Sequence, residues 1–500
     1  MVSRSSATAI WRPSAGDIAC MMVLALLSFL AAIDSTILLI TRQLHGTTIY
    51  AFWTGTSYLM TSAIAQPFIS TISERLGIHM RMIWFSVSAF AAGSIICALS
   101  RDFIPLLAGR SLQGLGGGGI ITLVQIIFAR LVPLRERPKW FSIVLTTWAV
   151  GSVVGPFLGS VLTTTSTFHW IFWINLPICG LALVVIPFTI PSFRPTAQCS
   201  WSKVDWAGGA IFFTSLTSVL LGLSWGGVTF PWTSKWTISS VTLGFCGTLL
   251  FGIWEHNFPK FPIFRPSLFN TASRIALYFC SFLQGLILFC LLYYVPLYFA
   301  SAQQQTPMVS SACVLPLSCS LLPGAAITSQ VITRTGHYKW ILGMGWILTI
   351  LGSGLLLLFE EDTGPTVWIL ILLIIGIGNG CLLSALNYHV QATTDPSSSA
   401  SGASMYTFFR SLGMCVGVTV GGNVFQNVMA HVLSKAGVST SIAKDAEAFI
   451  YELTLLDNTD TMLQKILHAY VGGLHGVFYM LLGVSILGLM ANTYIYVYSV

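Results

Sequence analysis

Three ionisable side chains lie inside long apolar stretches of the 500-residue chain. Asp34 is the one acidic residue well inside such a stretch, and Arg110 and Arg410 are its basic counterparts. An ionisable group at membrane depth costs about 2.5–3.5 kcal/mol on insertion scales, and it usually marks a transport pathway, a proton relay or a charge partner. These three residues are therefore the first candidates for proton or substrate chemistry.

Asp34 and Arg110 are predicted to lie at the same depth. Each is roughly six or seven residues from the outer end of its apolar stretch, which places both about 10 Å below the outer membrane surface. They could pair with each other, or alternate between each other and a proton or substrate. A purely structural ion pair is the alternative. Arg410 has two equally supported interpretations: a packing cation that is hydrogen-bonded to helix carbonyls, or a residue with a role in transport.

The composition supports the membrane setting. Hydrophobic residues make up 55% of the chain and charged residues 8%, and the mean hydropathy is +0.80. Soluble proteins carry about 25% charged residues. Eleven cysteines without a Cys-x-x-Cys and nine histidines without metal spacing predict neither a disulfide framework nor a metal site. Because the histidines lack metal spacing, an enzyme is not expected either. Nucleic-acid binding has no basic patch to support it.

Apolar stretches of about 20 residues, the length that crosses the hydrocarbon core, predict an all-α polytopic membrane protein with fourteen spans. The seventh and eighth are the weakest. The first is full length and contains Asp34, so it is interpreted as a retained span. The spans lie at about 20–41, 50–69, 82–100, 104–129, 140–163, 169–190, 206–224, 237–254, 274–299, 309–330, 340–359, 367–390, 403–426 and 473–496.

The loop charges predict the orientation. With the N-terminus in the cytoplasm, the inner loops receive fifteen lysines and arginines and the outer loops six. Positive residues concentrate in cytoplasmic loops, and an odd number of spans would scramble this bias. Both termini are therefore expected in the cytoplasm. A long outer loop is predicted at about 427–472, with a short surface helix within it.

Two patterns recur at an offset of eight spans. Glycines spaced by four occur in span 5 and again in span 13, and an Arg-x-Gly loop follows both span 2 and span 10. The residues are Gly151, Gly155 and Gly159; Gly413, Gly417 and Gly421; Arg75 and Gly77; Arg334 and Gly336. This offset predicts two six-span bundles, 1–190 and 273–500, with two inserted spans in 191–272. Parallel repeats of this kind are the plan of major facilitator transporters.

Other residues of the spans have both a structural and a functional interpretation. The run Gly109–Gly119 in span 4, with Gln113, Gly114 and Gly116, predicts a close and movable helix contact, because glycine lets membrane helices approach. Gly155-Pro156 in span 5 predicts a bend, with static packing equally open. Tyr293, Tyr294 and Tyr298 surround Pro296. They are candidates for a cavity wall, although packing or an interfacial belt is the better interpretation of any single one.

These motifs resemble the major facilitator superfamily, specifically its fourteen-span drug:proton antiporter family and the fungal toxin and secondary-metabolite efflux pumps within it. The resemblance runs from about Asp34 to about Asn427. It depends on the segments Gly109–Gly116, Gly151–Gly159, His169–Pro177, Tyr293–Phe299 and Phe409–Gly413. An importer such as a siderophore transporter, or less plausibly a membrane receptor, is the alternative.

The resemblance implies proton-driven efflux of a small hydrophobic compound, with Asp34 and Arg110 in proton coupling. It implies a monomer in the plasma membrane, with a vacuolar or other internal membrane as the alternative, and no cofactor other than the proton gradient. The loop after span 2 would be a gate, with Glu74, Arg75, Gly77 and Arg81. Two segments depart from the family pattern: this loop, at Ser70, Glu74, Ile78 and His79, and the residues after Asp34, at Leu39, Arg42 and Gln43.

Overall fold

The computed structural model describes residues 13–35, 48–134, 136–165, 167–191, 204–227, 230–258, 261–335, 338–395, 398–453 and 461–496. Leu39, Arg42, Gln43 and Gly336 lie outside these ranges. The fold is all-α, as predicted. Its long helices are α1 (Ala15–Ser35), α2 (Thr48–Leu76), α3 (His79–Leu99), α4 (Phe103–Leu131), α5 (Arg137–Thr165), α6 (His169–Thr189), α7 (Trp206–Trp225), α8 (Lys235–Asn257), α9 (Ala272–Ser301), α10 (Pro307–Thr335), α11 (Lys339–Leu355), α12 (Pro365–Thr393), α13 (Ser399–Lys435) and α14 (Thr461–Thr493).

Thirteen of these described helices, all except α2, are long and apolar enough to cross a membrane. The helix α2 is 29 residues long, but it carries hydroxyl and amide side chains along its length. Several of them, including Thr54, Ser62 and Gln66, are buried in the protein interior. Its low hydropathy therefore reflects a helix surrounded by other helices. By contrast, α8 exposes Leu243 and Leu249, as expected for a helix that faces lipid.

Glycines set the spacing of α4 from its two neighbours. A Cβ added to Gly116 would lie 2.5 Å from the backbone nitrogen of Phe90 in α3, and one added to Gly114 would lie 2.5 Å from the carbonyl oxygen of Tyr58 in α2. Real Cβ atoms do not approach backbone this closely, so any side chain would push the helices apart. The glycine run therefore holds α4 in backbone contact between α2 and α3.

The same packing recurs eight helices later. A Cβ added to Gly378 of α12 would lie 2.9 Å from the backbone nitrogen of Thr349 in α11. A Cβ added to Gly380 would lie 2.9 Å from the backbone nitrogen of Ala325 in α10. The two glycine ladders also take matching partners. Gly151 of α5 lies against the Phe29 carbonyl of α1, and Gly417 of α13 lies against the Leu286 carbonyl of α9. The predicted two-bundle architecture is thus visible in its closest helix contacts.

The inserted helices α7 and α8 pack mainly on each other. A Cβ on Gly244 of α8 would lie 2.5 Å from the nitrogen of Val219 in α7. The pair is attached to the second bundle through α7, where the Asn423 side chain donates to the Leu223 carbonyl at 3.0 Å. The following linker is fixed by Glu255, whose carboxylate accepts from the backbone nitrogens of Ile263 and Phe264 at 2.8 and 3.2 Å.

Several predicted boundaries differ from the structure. The outer loop predicted at 427–472 is shorter, because α13 continues to Lys435 and α14 begins at Thr461, with short helices at Ser441–Lys444 and Ala446–Leu453 between them. The extra turns bury Met429 and Leu433, while their polar residues lower the average hydropathy. The spans at 169–190 and 309–330 are interrupted, at Ile174 and at Cys313–Val314.

Replacing Gly116 by alanine is expected to destabilise the protein, because the added methyl group would collide with the α3 backbone. Overpacking of this kind costs about 1–3 kcal/mol. Gly180→Ala is the matched control, since a Cβ there meets nothing within 4 Å and alanine favours a helix. Thermal unfolding of the purified protein in detergent checks the difference. Equal melting temperatures for the two variants would contradict the packing described here.

Candidate functional site

The carboxylate of Asp34 lies at the centre of a buried polar network. Its Oδ2 accepts from Arg110 Nη1 at 2.5 Å. Its Oδ1 accepts from the side-chain amides of Gln113 at 3.2 Å and Asn175 at 3.1 Å. Asp34, Gln113 and Asn175 have no exposed surface, and Arg110 is 1% exposed. Donors from α4 and α6 thus converge on one carboxylate of α1.

Arg110 connects this carboxylate to α2. Its Nε donates to the Thr54 carbonyl at 3.0 Å, and its guanidinium carbon lies 4.7 Å from the centre of the Tyr58 ring. Its Nη2 donates to the Asp34 carbonyl oxygen at 3.3 Å. A guanidinium over an aromatic face is attracted by the ring quadrupole. Arg110 therefore contacts α1 and α2 while it is anchored in α4.

The sequence of α4 explains why the network forms. Gln113 follows Arg110 by three residues and so lies on the same face of the helix, where its Oε1 accepts from Arg110 Nη1 at 3.0 Å. Its Nε2 also donates to the Ser94 hydroxyl of α3 at 2.8 Å. Gly93 allows this, because a Cβ there would lie 2.5 Å from the Gln113 nitrogen.

In this arrangement, adding a proton to Asp34 would change the charge balance of the buried network. The ion pair neutralises two charges that are out of water, and removing one partner of such a pair costs about 3–5 kcal/mol. A proton on Asp34 would cancel its charge and leave Arg110 buried without a counter-ion. The guanidinium would then keep only neutral acceptors, namely the Thr54 and Asp34 backbone carbonyls and the Gln113 side chain, and no negative charge would balance it.

The predicted gating loop lies where the two bundles meet. Glu74 Oε2 is 3.0 Å from Arg265 Nη2 in the linker after α8, and it accepts from the Ser401 hydroxyl of α13 at 2.6 Å. Gly77 has φ +65°, a left-handed conformation that favours glycine and turns the chain into α3. The guanidinium of Arg75 lies over the linker's Phe261 ring at 5.1 Å, and Arg81 is exposed on α3.

A second connection between the bundles comes from Arg137 at the start of α5. Its Nη1 donates to the Gln391 side chain at 3.0 Å and to the Ser399 hydroxyl at 2.6 Å. In the sequence, Arg137 is one of the basic residues of the predicted inner loops, and no pattern there indicates its partners. Together with Glu74, it joins the bundles at the end where α2 ends and α5 begins.

A small cavity of about 50 Å³ lies between the bundles. It has room for a few water molecules, far less than the about 300–1,000 Å³ of small-molecule sites. In this conformation the cavity is therefore too small to hold a drug-sized compound. The lining includes residues of α1, α2, α4 and α5 from the first bundle and of α9 and α13 from the second: Ser28, Tyr58, Leu59, Ser62, Ile121, Val124, Gln125, Phe141, Val144, Leu145, Trp148, Phe289, Thr407, Arg410, Ser411 and Met414.

Arg410, for which the sequence leaves a transport role open, lines this cavity, whereas none of the three tyrosines proposed for a cavity wall does. Tyr294 donates to the Val418 carbonyl at 3.0 Å and Tyr298 to the Glu360 carbonyl at 2.5 Å. The Tyr293 ring centre lies 5.0 Å from that of Tyr294. Because Tyr294 and Tyr298 are buried and satisfied by backbone acceptors, they act here as packing residues.

The packing motif Gly151–Gly159 of α5 forms part of one continuous helix. Pro156 is inside Arg137–Thr165 without a break in the helix, and Gly155 and Gly159 are buried.

Asn175 is the important residue that was not predicted from the sequence, although the segment that contains it was singled out. The available signal was a polar side chain inside an apolar span, where such residues are rare and tend to be functional.

The sequence and the fold both match known transporters. The pattern of the Major Facilitator Superfamily matches residues 18–418. The chain is similar to the MFS transporter L2 of Phoma sp., with 37% identity over 451 residues that cover 88% of this chain and 75% of that protein. It is also similar to the MFS efflux transporter aclA of Aspergillus oryzae, with 32% identity over 436 residues, 85% of this chain and 79% of the relative.

Among solved structures, the human organic anion transporter MFSD10 (TETRAN) aligns with a TM-score of 0.65 and 14% identity, over 96% of this chain and 100% of that one. A bacterial homologue of the human lysosomal transporter Spinster aligns with a TM-score of 0.57, also at 14% identity, over 97% and 98%. These likenesses show the fold alone. With the family match and the relatives, they establish that this chain is a multi-pass membrane transporter that belongs to the major facilitator superfamily.

Proposed function

We propose that this transporter is a fourteen-span drug:proton antiporter that exports a small, largely apolar organic compound in exchange for protons. The thirteen apolar helices, with α2 as a further long helix enclosed by its neighbours, support fourteen spans. The relative named as an efflux transporter favours export over import. Proton coupling is supported by the buried network around Asp34, and this network carries the proposal.

The contacts of Arg110 provide a route from the proton to the substrate pathway. Tyr58 lies under the Arg110 guanidinium at 4.7 Å and also lines the cavity between the bundles. When Asp34 is protonated, Arg110 loses its counter-ion and shifts towards other acceptors. Because Thr54 and Tyr58 both belong to α2, this shift moves the helix that forms one wall of the cavity. Proton binding and cavity opening are thereby coupled.

The proposed orientation places both termini in the cytoplasm and the protein in the plasma membrane as a monomer. The ends of α2, α8 and α10 and the starts of α3, α5 and α9 then lie on the cytoplasmic side, and the loop arginines concentrate there. The contacts of Glu74 and Arg137 across the bundles lie on this side. They close the cytoplasmic entrance in this conformation and must break before a compound can enter from the cytoplasm.

Asp34→Asn is expected to abolish transport driven by a pH gradient, because the amide keeps the size of the carboxylate but carries no charge and cannot take up a proton. The assay is uptake into acid-inside, inside-out vesicles, with a compound to which expression of the wild-type protein confers resistance. Exchange of labelled for unlabelled compound, which needs no net proton movement, should persist.

The matched control is Asp102→Asn, which removes the same charge from an exposed position outside the network, and it should transport like the wild-type protein. Gradient-driven uptake at the wild-type rate by Asp34→Asn would exclude this residue from proton coupling.

A second prediction concerns the ion pair as a unit. Asp34→Asn and Arg110→Gln should each lower the melting temperature, because each leaves a lone buried charge at a cost of about 3–5 kcal/mol. The double variant removes both charges and should melt above either single variant, although it stays inactive in gradient-driven uptake. Thermal unfolding of the purified proteins gives the comparison. Additive losses in the double variant would show that the two side chains are not coupled.

A further inference from the structure

Arg410 is the one charged side chain among the described residues that line the central cavity, and the network around Asp34 does not include it. Arg410 is 7% exposed and lines the cavity. Its Nη2 is buried and has no hydrogen-bond partner within the described part of the chain. A guanidinium is always charged and has five N–H donors, so Arg410 brings a full positive charge and an unused donor to the centre of the molecule.

Two contacts hold this guanidinium in place. Its Nε donates to the Gln284 side chain of α9 at 3.2 Å, and its carbon lies 4.7 Å from the centre of the Trp148 ring in α5. Gly285 allows α9 to approach closely, because a Cβ there would lie 3.2 Å from the Cα of Arg410. The side chain is therefore fixed by residues of both bundles.

Arg410 of α13 also has an equivalent in α5, because the two bundles repeat the same glycine spacing. Trp148 precedes Gly151, the first ladder glycine of α5, by three residues, and Arg410 precedes Gly413, the first of α13, by the same three. The two residues occupy equivalent positions of the two bundles and touch each other. Arg410 thus lies where equivalent elements of the two bundles meet, beside the pathway that opens when they separate.

No carboxylate in the described part of the chain forms an ion pair with Arg410. Two side-chain ion pairs occur among the described residues, Arg110 with Asp34 and Arg265 with Glu74, and neither includes Arg410. Arg110, by contrast, is also buried but has Asp34 as its counter-ion. An uncompensated buried charge is costly, and a ligand that brought a negative charge would remove this cost.

We propose that the transported compound carries a carboxylate or another deprotonated acid group, which Arg410 binds in the central cavity. The apolar remainder of the compound would contact Trp148, Phe141 and Phe289, which also line the cavity, and the cavity would widen as the bundles separate. This substrate class depends on the proposed transport function of the same cavity. A neutral compound would bind less tightly beside Arg410, and a cationic compound would be repelled by its charge.

A matched trio of probes tests this charge preference: 1-pyrenebutyrate, its methyl ester and the corresponding (1-pyrenebutyl)trimethylammonium. Equilibrium binding to the purified full-length chain in lipid nanodiscs, without any pH gradient, is measured by probe fluorescence. The carboxylate should bind the wild-type protein at least about tenfold more tightly than the ester, which corresponds to about 1.4 kcal/mol. The ammonium probe should bind most weakly.

Arg410→Gln should remove the preference while the ester binds as before. Arg410→Lys should retain part of it, because lysine keeps the charge but loses the planar fork of donors. Arg101→Gln, at an exposed position, is the control and should bind like the wild-type protein. If Arg410→Gln does not fold, the wild-type trio and Arg410→Lys still decide the outcome.

Equal affinities for the three probes, no binding of the carboxylate, or a preference that survives in Arg410→Gln would overturn the proposal. A purely structural role for Arg410 would lower the melting temperature of its variants without any effect of probe charge. Because binding is measured without a gradient, failure here leaves proton-driven export standing. Loss of proton coupling would equally leave the charge preference intact.

Discussion

The ion pair between Asp34 and Arg110 is the interaction on which the first bundle depends. Its two charges lie 2.5 Å apart with almost no exposed surface, so each is tolerable only while the other is present. The pair also collects the side chains of Gln113 and Asn175 and the backbone of Thr54. One electrostatic requirement thereby fixes the relative positions of α1, α2, α4 and α6.

This requirement can be met only because the helices approach to backbone contact. Gly93 and Gly114 remove the side chains that would otherwise separate α4 from α3 and α2. The second bundle repeats the close packing but not the charges. It has Arg410 at the bundle interface, where none of the described carboxylates pairs with it, so the two bundles share their packing but differ in their charges. The proposed proton site in the first bundle and the proposed anion site at Arg410 both rest on this asymmetry.

Much of the architecture could be predicted from the sequence, because hydropathy and helix length are local properties. The depth of Asp34 and Arg110 also follows from counting residues along a helix, and the structure brings the two together. Which face of a helix meets a neighbour is not local. The partners of Arg137 and the convergence of Asn175 on Asp34 therefore escaped prediction. The tyrosines near Pro296 were ambiguous for the same reason, and hydropathy averaging concealed the amphipathic ends of α13 and α14.

The central claim is that Asp34 takes up and releases a proton inside the protein. Infrared difference spectroscopy of the purified transporter during a pH titration measures this directly, without knowledge of the substrate. The account predicts that lowering the pH produces the C=O stretching band of a protonated, buried carboxyl group, and that Asp34→Asn lacks this band. A band that persists unchanged in Asp34→Asn, or no such band at any pH at which the protein stays folded, would contradict the account.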